Sequence, residues 1–342
     1  MKLQEDKEWL PPEVLSALGE ERRVGVEIEY AGVEAASVLD MLQAHFGGDR
    51  HALTRAEYEL KNTQFGDFKL ELDANAVKQL AGLQNKVTAA GINPGAVEEL
   101  AESVGDVAMD WFTQAAEQLV PWEIVSPPIP MSGLRELAPL VNDLRSAGAL
   151  GTRHALRYAF GVHLNPELPA LDAGTIVNYL RAYFVLYDWI AGQERVDTAR
   201  KITPYIDHFE KSYIKLVIDP GYAPSVEALI DDYIEHNPTR NRSLDMLPLF
   251  AHLDEPRVRA AIDDDRIKAR PTFHYRLPNC DIDSPDWNID LPWSLWLEVE
   301  KLACDKARLG EYCQLFAQAL ERLTHNLDGQ WPAKVGKLID EE

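Results

Sequence analysis

Apolar residues occupy every second position within residues 22–30, and this alternation constrains the fold more than any other sequence feature. Side chains two residues apart share a face of a β-strand but not of a helix. The stretch therefore predicts a strand whose buried face carries Val24, Val26, Ile28 and Tyr30. Its other face carries Glu27 and Glu29. Two carboxylates about 4 Å apart repel by roughly 4 kcal/mol at an effective dielectric constant of about 20, so the pair must be hydrated, share a proton or bind a cation. A hydrated strand face is the simplest interpretation of this stretch alone.

The composition limits the class of protein. The 342 residues are enough for one large domain or two ordinary ones, and 46% hydrophobic with 26% charged residues indicate a globular chain. The net charge is −22, which argues against a nucleic-acid or membrane-surface partner. A few local arginines can still bind an anionic substrate.

The start of the chain and its cysteines predict a cytoplasmic protein. No apolar segment follows the polar first eight residues, so we expect no signal peptide, and no apolar run approaches the roughly 18 residues of a membrane span. Cys280, Cys304 and Cys313 form no C-x-x-C motif. An odd number of scattered cysteines fits a reducing compartment and excludes a disulfide framework or a Cys-rich zinc site.

Further strands and helices alternate along the chain. Strands are predicted at residues 51–61, 67–73, 120–128, 157–166 and 270–278. Helices are predicted at residues 13–18, 35–46, 75–118, 134–147, 172–190, 204–217, 224–236, 244–253, 291–308 and 311–324. Because the strands come singly or as hairpins between helices, the pattern predicts an α+β domain whose largely antiparallel sheet has helices on one face.

The polar positions of these strands carry potential metal ligands. They are Glu27, Glu29, Glu71, Asp73, Glu123, His163 and His274. So many carboxylates and imidazoles on one sheet face cannot stay ionised and dry without cations, and oxygen ligands suit Mg or Mn. The nearby arginines Arg240, Arg242 and Arg276 suit the bidentate recognition of phosphate. The pattern predicts a metal–nucleotide site for phosphoryl transfer.

Other conspicuous motifs have structural interpretations. The acidic residues 263–265 predict a surface turn rather than a metal site, and Trp287, Trp293 and Trp296 predict helix packing rather than a base-stacking platform. A stripe at helical spacing within residues 179–190 predicts a core face.

The ordered series of motifs resembles the amidoligase family, a branch of the glutamine synthetase-like carboxylate–amine ligases that is also similar to glutamate–cysteine ligases. No single motif is specific, and the resemblance rests on their order over residues 22–278. The motifs are GVEIE at 25–29, LELD at 70–73, EIVSP at 123–127, GVHLN at 161–165, RNRS at 240–243 and FHYRLP at 273–278.

The resemblance implies a glutamine synthetase-like catalytic fold, with a curved, largely antiparallel sheet and helices packed on its outer face. It also implies ATP and two or more Mg or Mn ions. Glu29, Glu123 and either Glu71 or Asp73 would bind one ion, and Glu27, His163 and His274 would bind a second. Arg240, Arg242 and Arg276 would stabilise the transferred phosphoryl group and, with Asn165, contact the nucleotide.

One position departs from the family pattern, because His274 stands where the family usually has glutamate. A neutral imidazole in place of an anion weakens a Mg site and shifts the preference toward Mn or Zn. This departure keeps open a catalytically weak metal, nucleotide or peptide binding module as the alternative to a ligase. A metal-dependent hydrolase using the same carboxylates is a third hypothesis.

The implied reaction joins a carboxylate to an amine through an acyl phosphate, so we expect a small acid and amine or a peptide as substrates. We expect no nucleic-acid or membrane partner, and the sequence leaves the oligomeric state open. Residues 1–290 are expected to form the catalytic domain, with a helical insertion at about 75–119. Residues 291–342 are expected to form a C-terminal helical pair packed on it.

Overall fold

The computed structural model describes residues 9–72, 122–152, 160–194, 208–322 and 330–340. Asp73 and the predicted helical insertion at 75–119 lie outside these residues. The described strands are β1 Arg23–Tyr30, β2 Asp49–Ala52, β3 Glu57–Lys61, β4 Phe68–Leu72, β5 Trp122–Val125, β6 Ile129–Pro130, β7 Val162–Pro166, β8 Leu244–Asp245 and β9 His274–Tyr275.

These strands form a single antiparallel sheet within the described part of the chain. Its order is β2-β3-β4-β5-β1-β7-β9-β8, with β6 paired to the start of β1. Strand β1 is central and is flanked by β5 and β7. The predicted α+β class with a largely antiparallel sheet is therefore confirmed.

A 3₁₀ helix, Met131–Leu137, precedes the second of the α-helices. The α-helices are α1 Ala35–Phe46, α2 Ala138–Ser146, α3 Ala173–Gln193, α4 Lys211–Ile218, α5 Val226–His236, α6 Leu247–Leu253, α7 Glu255–Ala261, α8 Asp290–Cys304, α9 Lys306–Arg322 and α10 Gln330–Asp340. None of the described helices combines the length and the apolar character needed to cross a bilayer.

Helices α3 and α8 pack against the apolar face of the sheet. The alternating residues of β1 predicted to be buried are all at most 1% exposed. Next to them, Tyr275 of β9 contacts Tyr183 of α3 edge to face and Trp296 of α8, with ring centroids 5.9 and 5.1 Å apart. Trp293 is also buried, as predicted for helix packing. The opposite, polar face of β1 is left uncovered by this packing.

A buried polar network anchors the start of β1 to these helices. The fully buried guanidinium of Arg22 donates to both carboxylate oxygens of Glu300 on α8, at 2.7 and 3.0 Å. Glu300 also accepts hydrogen bonds from the Tyr179 hydroxyl and the Trp296 indole. Arg22 further donates to the carbonyls of Glu13 and Glu167. We call this set of four side chains the Arg22–Glu300 network.

The predicted helix at 13–18 is wrong. Leu15 instead forms an antiparallel bridge with Glu21, and the chain turns through Gly19, whose φ of +77° favours glycine. An isolated six-residue helix cannot offset the cost of its nucleation, and Leu18 remains 86% exposed in the turn.

The strand predicted at 51–61 is in fact two paired strands, β2 and β3, because a turn at residues 53–56 lets Ala52 pair with Tyr58. The predicted helix at 244–253 begins only at Leu247, where Pro248 fits its first turn. Leu244 and Asp245, at the start of the predicted helix, instead form β8 and pair with β9. This correction moves Asp245 from a helix into the sheet.

The C-terminal region contains three described helices rather than the predicted pair. The predicted break at Gly310 lies inside α9, and the break falls at Asp305, whose side chain accepts a hydrogen bond from the Arg308 amide. A capping aspartate stabilises a helix start by about 1 kcal/mol, similar to the cost of an interior glycine. The division into domains stays a prediction.

Candidate active site

A row of four glutamates crosses the polar face of the sheet. In register across β3, β4, β5 and β1, the row consists of Glu57, Glu71, Glu123 and Glu29. All four side chains are half-buried. Like charges directly opposite each other on neighbouring strands destabilise a sheet. This carboxylate row is therefore costly unless positive charge lies nearby.

A second group lies beside the row, where β1, β7 and β9 meet. Glu27 pairs in register with His163, and the Nδ1 atom of His163 lies 2.8 Å from Glu27 Oε2. The Nε2 atom of His274 lies 3.7 Å from the same oxygen. The two imidazole rings are nearly perpendicular, with centroids 5.2 Å apart. We call Glu27, His163 and His274 the carboxylate–histidine group.

These side chains form two sets of three possible metal ligands that share one residue. One set is the carboxylate–histidine group, and the other is Glu29, Glu123 and His163. Within each set, one ligand atom from each residue lies within 4.8 Å of the others. Glu71 is not in either set but lies opposite Glu123 on β4. Asp73 lies outside the described residues.

Glu27 has the densest surroundings of the group. Its Oε1 atom accepts a hydrogen bond from the Asn165 amide at 2.9 Å, and the Arg270 guanidinium approaches the same oxygen to 3.5 Å. Glu29 accepts a 2.7 Å hydrogen bond from the Gly161 amide. These contacts fix the positions of the Glu27 and Glu29 carboxylates on the polar face of β1.

The protonation states suit metal binding. Burial alone would raise the pKa of Glu27, but the hydrogen bond with His163 and the nearby His274 ring outweigh burial and hold that pKa well below its ordinary value. Burial lowers the pKa of His274, against the opposing influence of Asp245 and Glu27. An ionised glutamate and a neutral imidazole are the forms that ligate a metal.

Unpaired polar atoms mark the same place. The Asn165 Oδ1 and His274 Nε2 atoms are buried and have no hydrogen-bond partner among the described residues. A buried polar atom without a partner costs about 1–3 kcal/mol, so such atoms call for an explanation. Mixed carboxylate and imidazole donors, with these free acceptors, fit Mg, Mn or Zn. The residues present therefore fit a divalent ion.

The predicted arginines lie in two different settings. Arg240 reaches Asp245, with Nε 3.9 Å from Oδ2, and Arg276 donates to the Arg240 carbonyl at 2.7 Å. Both therefore lie on the side of the group formed by β8 and β9. Arg242 instead donates to the carbonyls of His208 and His236 and lies over the Phe209 ring. These contacts give Arg242 a role in holding the loop before β8.

Sequence reasoning missed three residues of this region. Arg270 is an even number of residues from His274 and Arg276 in the predicted strand 270–278. Alternation along the strand therefore places it on the same face as those two residues. Glu57 likewise lies on a strand that was predicted. Asp245 was hidden because the apolar run 244–253 was interpreted as a helix. The acidic residues 263–265 lie at the surface as predicted, and Asp264 pairs with Arg266. Trp293 and Trp296 are buried on α8, as predicted for helix packing, whereas Trp287 is buried in the segment before that helix.

Comparison with known proteins gives one match. The model of a family described as "Putative amidoligase enzyme" matches residues 20–298. Searches of curated proteins and of solved structures found no match. The matched region includes every strand of the sheet and both ligand sets, and it covers most of the chain. The chain therefore belongs to the amidoligase family of ligases.

Proposed function

We propose that the protein is an ATP- and divalent-metal-dependent ligase that joins a carboxylate to an amine through an acyl phosphate. The observation that supports this proposal is the pair of ligand sets sharing His163, on the polar face of the sheet of an amidoligase. Two adjacent ion sites are typical of phosphoryl transfer from Mg-bound nucleotides.

The ion sites would be held by the two ligand sets, with Glu71 close enough in register to join Glu123. Asp73 stays a prediction. When bound, the ions would neutralise the charge of the nucleotide phosphates. They would also relieve the repulsion along the carboxylate row.

The chain's own cations would complete the phosphate environment. The Nε atoms of Arg240 and Arg270 are buried and have no hydrogen-bond partner among the described residues. A guanidinium with a free donor can orient and stabilise a transferring phosphoryl group. We therefore assign phosphate contacts to Arg240, Arg270 and Arg276, with Asn165 beside the nucleotide's metal site, and we assign Arg242 a supporting role.

The proposed reaction has two steps. An oxygen of the substrate carboxylate forms a bond to the γ-phosphorus of ATP, and the bond to ADP breaks. The amine nitrogen then bonds to the acyl carbon, the bond to phosphate breaks, and the amine releases a proton to solvent. The products are an amide, ADP and inorganic phosphate. The residues of the site contribute position and charge rather than covalent chemistry.

The test uses hydroxylamine as a general amine. With a panel of mono- and dicarboxylic acids, ATP and Mg or Mn, we expect phosphate release and hydroxamate formation in equal amounts. An acid labelled with ¹⁸O should transfer one label to phosphate, because its oxygen attacks phosphorus. Asp264→Asn, which changes an acid in the surface turn, should match wild type, whereas Glu123→Gln should show no turnover.

Two results would contradict the proposal. Phosphate release that needs neither acid nor amine would indicate a hydrolase. Tight metal–ATP binding without turnover for any acid would indicate the binding module that the His274 departure favours.

A further inference from the structure

A buried aspartate stands behind His274. Asp245 is 0% exposed and pairs in register with His274 across β8 and β9. Its Oδ2 atom lies 3.4 Å from His274 Nδ1, which is a long hydrogen bond. Its Oδ1 atom accepts a separate 3.0 Å hydrogen bond from the Leu247 amide. The two carboxylate oxygens of Asp245 therefore accept hydrogen bonds from different donors.

This geometry decides which nitrogen of His274 carries the proton. Asp245 is an acceptor when ionised, so the nitrogen facing it must be the donor. The other nitrogen, Nε2, is then a bare acceptor, and it is the atom that lies towards Glu27 without a hydrogen-bond partner among the described residues. The neighbouring His163 ring, edge-on at 5.2 Å, faces the same space.

We propose that Asp245 is a positioning residue that holds His274 as its Nδ1–H tautomer and presents Nε2 to the carboxylate–histidine group as a metal ligand. This inference rests on the metal site of the proposed function. Carboxylates behind ligating histidines fix the ring and make the imidazole a stronger donor. Asp245 thereby supplies, one strand away, the negative charge that an imidazole lacks as a ligand.

Asparagine at position 245 separates this role from a purely structural one. In Asp245→Asn, one side-chain oxygen remains and can accept only one of the two hydrogen bonds in their present places. If it keeps the Leu247 amide, the new NH₂ group faces His274 Nδ1 and favours the Nε2–H tautomer. That tautomer has no lone pair to offer a metal at Nε2.

The first measurement is ¹⁵N NMR of histidine-labelled full-length protein in chelator. The wild-type spectrum should contain the signals of one histidine that is protonated at Nδ1 and unprotonated at Nε2. These signals should be missing from the spectrum of His274→Ala. In wild type, the Nε2 signal should shift when Zn²⁺ is added. Asp245→Asn should invert this tautomer. A His274 signal protonated at Nε2 in wild type would overturn the inference without any variant having to fold.

The second measurement is Mn²⁺ binding, followed by the loss of the free-ion EPR signal. Asp245→Asn should weaken binding by about 10- to 100-fold, the usual cost of losing a residue behind a metal ligand. The double variant with His274→Ala should bind no more weakly than His274→Ala alone. The matched control is Asp254→Asn, the same change at an aspartate that caps α7 and pairs with Arg257 and that has no hydrogen bond to a histidine among the described residues.

The outcomes separate this inference from the proposed function. Equal Mn²⁺ affinity in Asp245→Asn and wild type would overturn the role of Asp245 alone. Failure of wild type to bind any divalent ion would overturn both. A selective loss in Asp245→Asn, with no acid- or amine-dependent turnover in wild type, would support the metal site while rejecting the ligase reaction.

Discussion

Two buried charged clusters lie along the same central strand, one of them at the residue just before its start, and the charges in them are paired in opposite ways. In the Arg22–Glu300 network, at the start of β1, opposite charges meet and Glu300 accepts from three different side chains. In the carboxylate–histidine group, further along β1, one carboxylate faces two imidazole rings, and the Nε2 atom of His274 lacks a partner among the described residues. Complete pairing indicates a structural role, whereas incomplete pairing next to like charges indicates a place for a ligand.

The largest expected effect comes from breaking the paired cluster. Glu300→Gln would leave the buried Arg22 cation without its counter-ion, so we expect a loss of about 3–5 kcal/mol in the free energy of unfolding. Urea denaturation in chelator measures it. The control is Glu298→Gln, which removes a partner of the more exposed Lys301 and should cost at most about 1 kcal/mol. Equal losses in the two variants would contradict the role assigned to the network.

Divalent ions should stabilise the folded protein through the unpaired cluster. An ion that binds only the native state adds about 2.7 kcal/mol at a concentration 100 times its Kd. Thermal unfolding with Mn²⁺, compared with NaCl at equal ionic strength, measures the gain. Glu300→Gln should keep the same gain if it folds. A response to NaCl as large as that to Mn²⁺ would mean that the carboxylates are merely screened.

Removing a ligand should abolish this gain without unfolding the chain. For Glu27→Gln we expect Mn²⁺ and Mn–ATP to bind at least about 10- to 100-fold more weakly. This is the usual loss when a residue behind a metal ligand is changed, and losing a ligand itself should cost no less. Isothermal titration calorimetry measures both. Glu57→Gln is the matched control, because Glu57 lies in the carboxylate row but outside both ligand sets. If Glu27→Gln binds Mn²⁺ and Mn–ATP as tightly as wild type, the carboxylates of the polar face are hydrated and do not ligate an ion.

A third buried group shows that an unpaired atom alone does not make a ligand site. His208 Nδ1 has no hydrogen-bond partner among the described residues, but its ring stacks on Tyr187 with centroids 3.5 Å apart. Burial and the Arg242 cation lower the pKa of His208 to about 3. Within the described part of the chain, the charged group that acts on His208 is a cation, whereas Glu27 lies beside the carboxylate row.

This histidine predicts a dependence of stability on pH, which is small near neutrality and grows only as the pH falls. The unfolded chain takes up a proton at His208 below its ordinary pKa of about 6.5, and the folded chain does not, so stability is lost as the pH falls below that value. The slope is at most about 1.4 kcal/mol per pH unit. His208→Phe, which keeps a ring for stacking, should therefore gain stability relative to wild type between pH 6.5 and 4. Parallel curves for the two proteins would show that His208 protonates freely when folded.

Local patterns in the sequence were enough to find most of the strands and their polar faces. Alternation is set by each strand's own geometry, so it placed Glu27, Glu29 and Glu123 on one face before the partners of β1 were known. It could not show that β7 and β9 are neighbours, because strand order depends on contacts distant in sequence. The approach of His163 to His274 is a product of that order.

The residues that were assigned wrongly from the sequence were missed for the same reason. A continuous apolar run fits a buried helix or a buried strand equally well, so residues 244–253 hid the strand that carries Asp245. Arg242 has the alternating spacing of a site residue, yet its guanidinium is held by the carbonyls of His208 and His236, which only tertiary packing brings near. The sequence predicted which residues could enter the site, and the packing selects among them.

The sharing of His163 between the two ligand sets links the two proposed ions thermodynamically. A neutral imidazole has a free lone pair on only one of its two nitrogens, so His163 can ligate only one of the two ions at a time, and the two binding events cannot be independent. Linkage requires the effect to be reciprocal: whatever factor the first ion applies to the affinity for the second, the second applies to the first. The occupancy of the pair should then follow a cooperative isotherm rather than the sum of two separate sites, and changing His163 should affect both ions together.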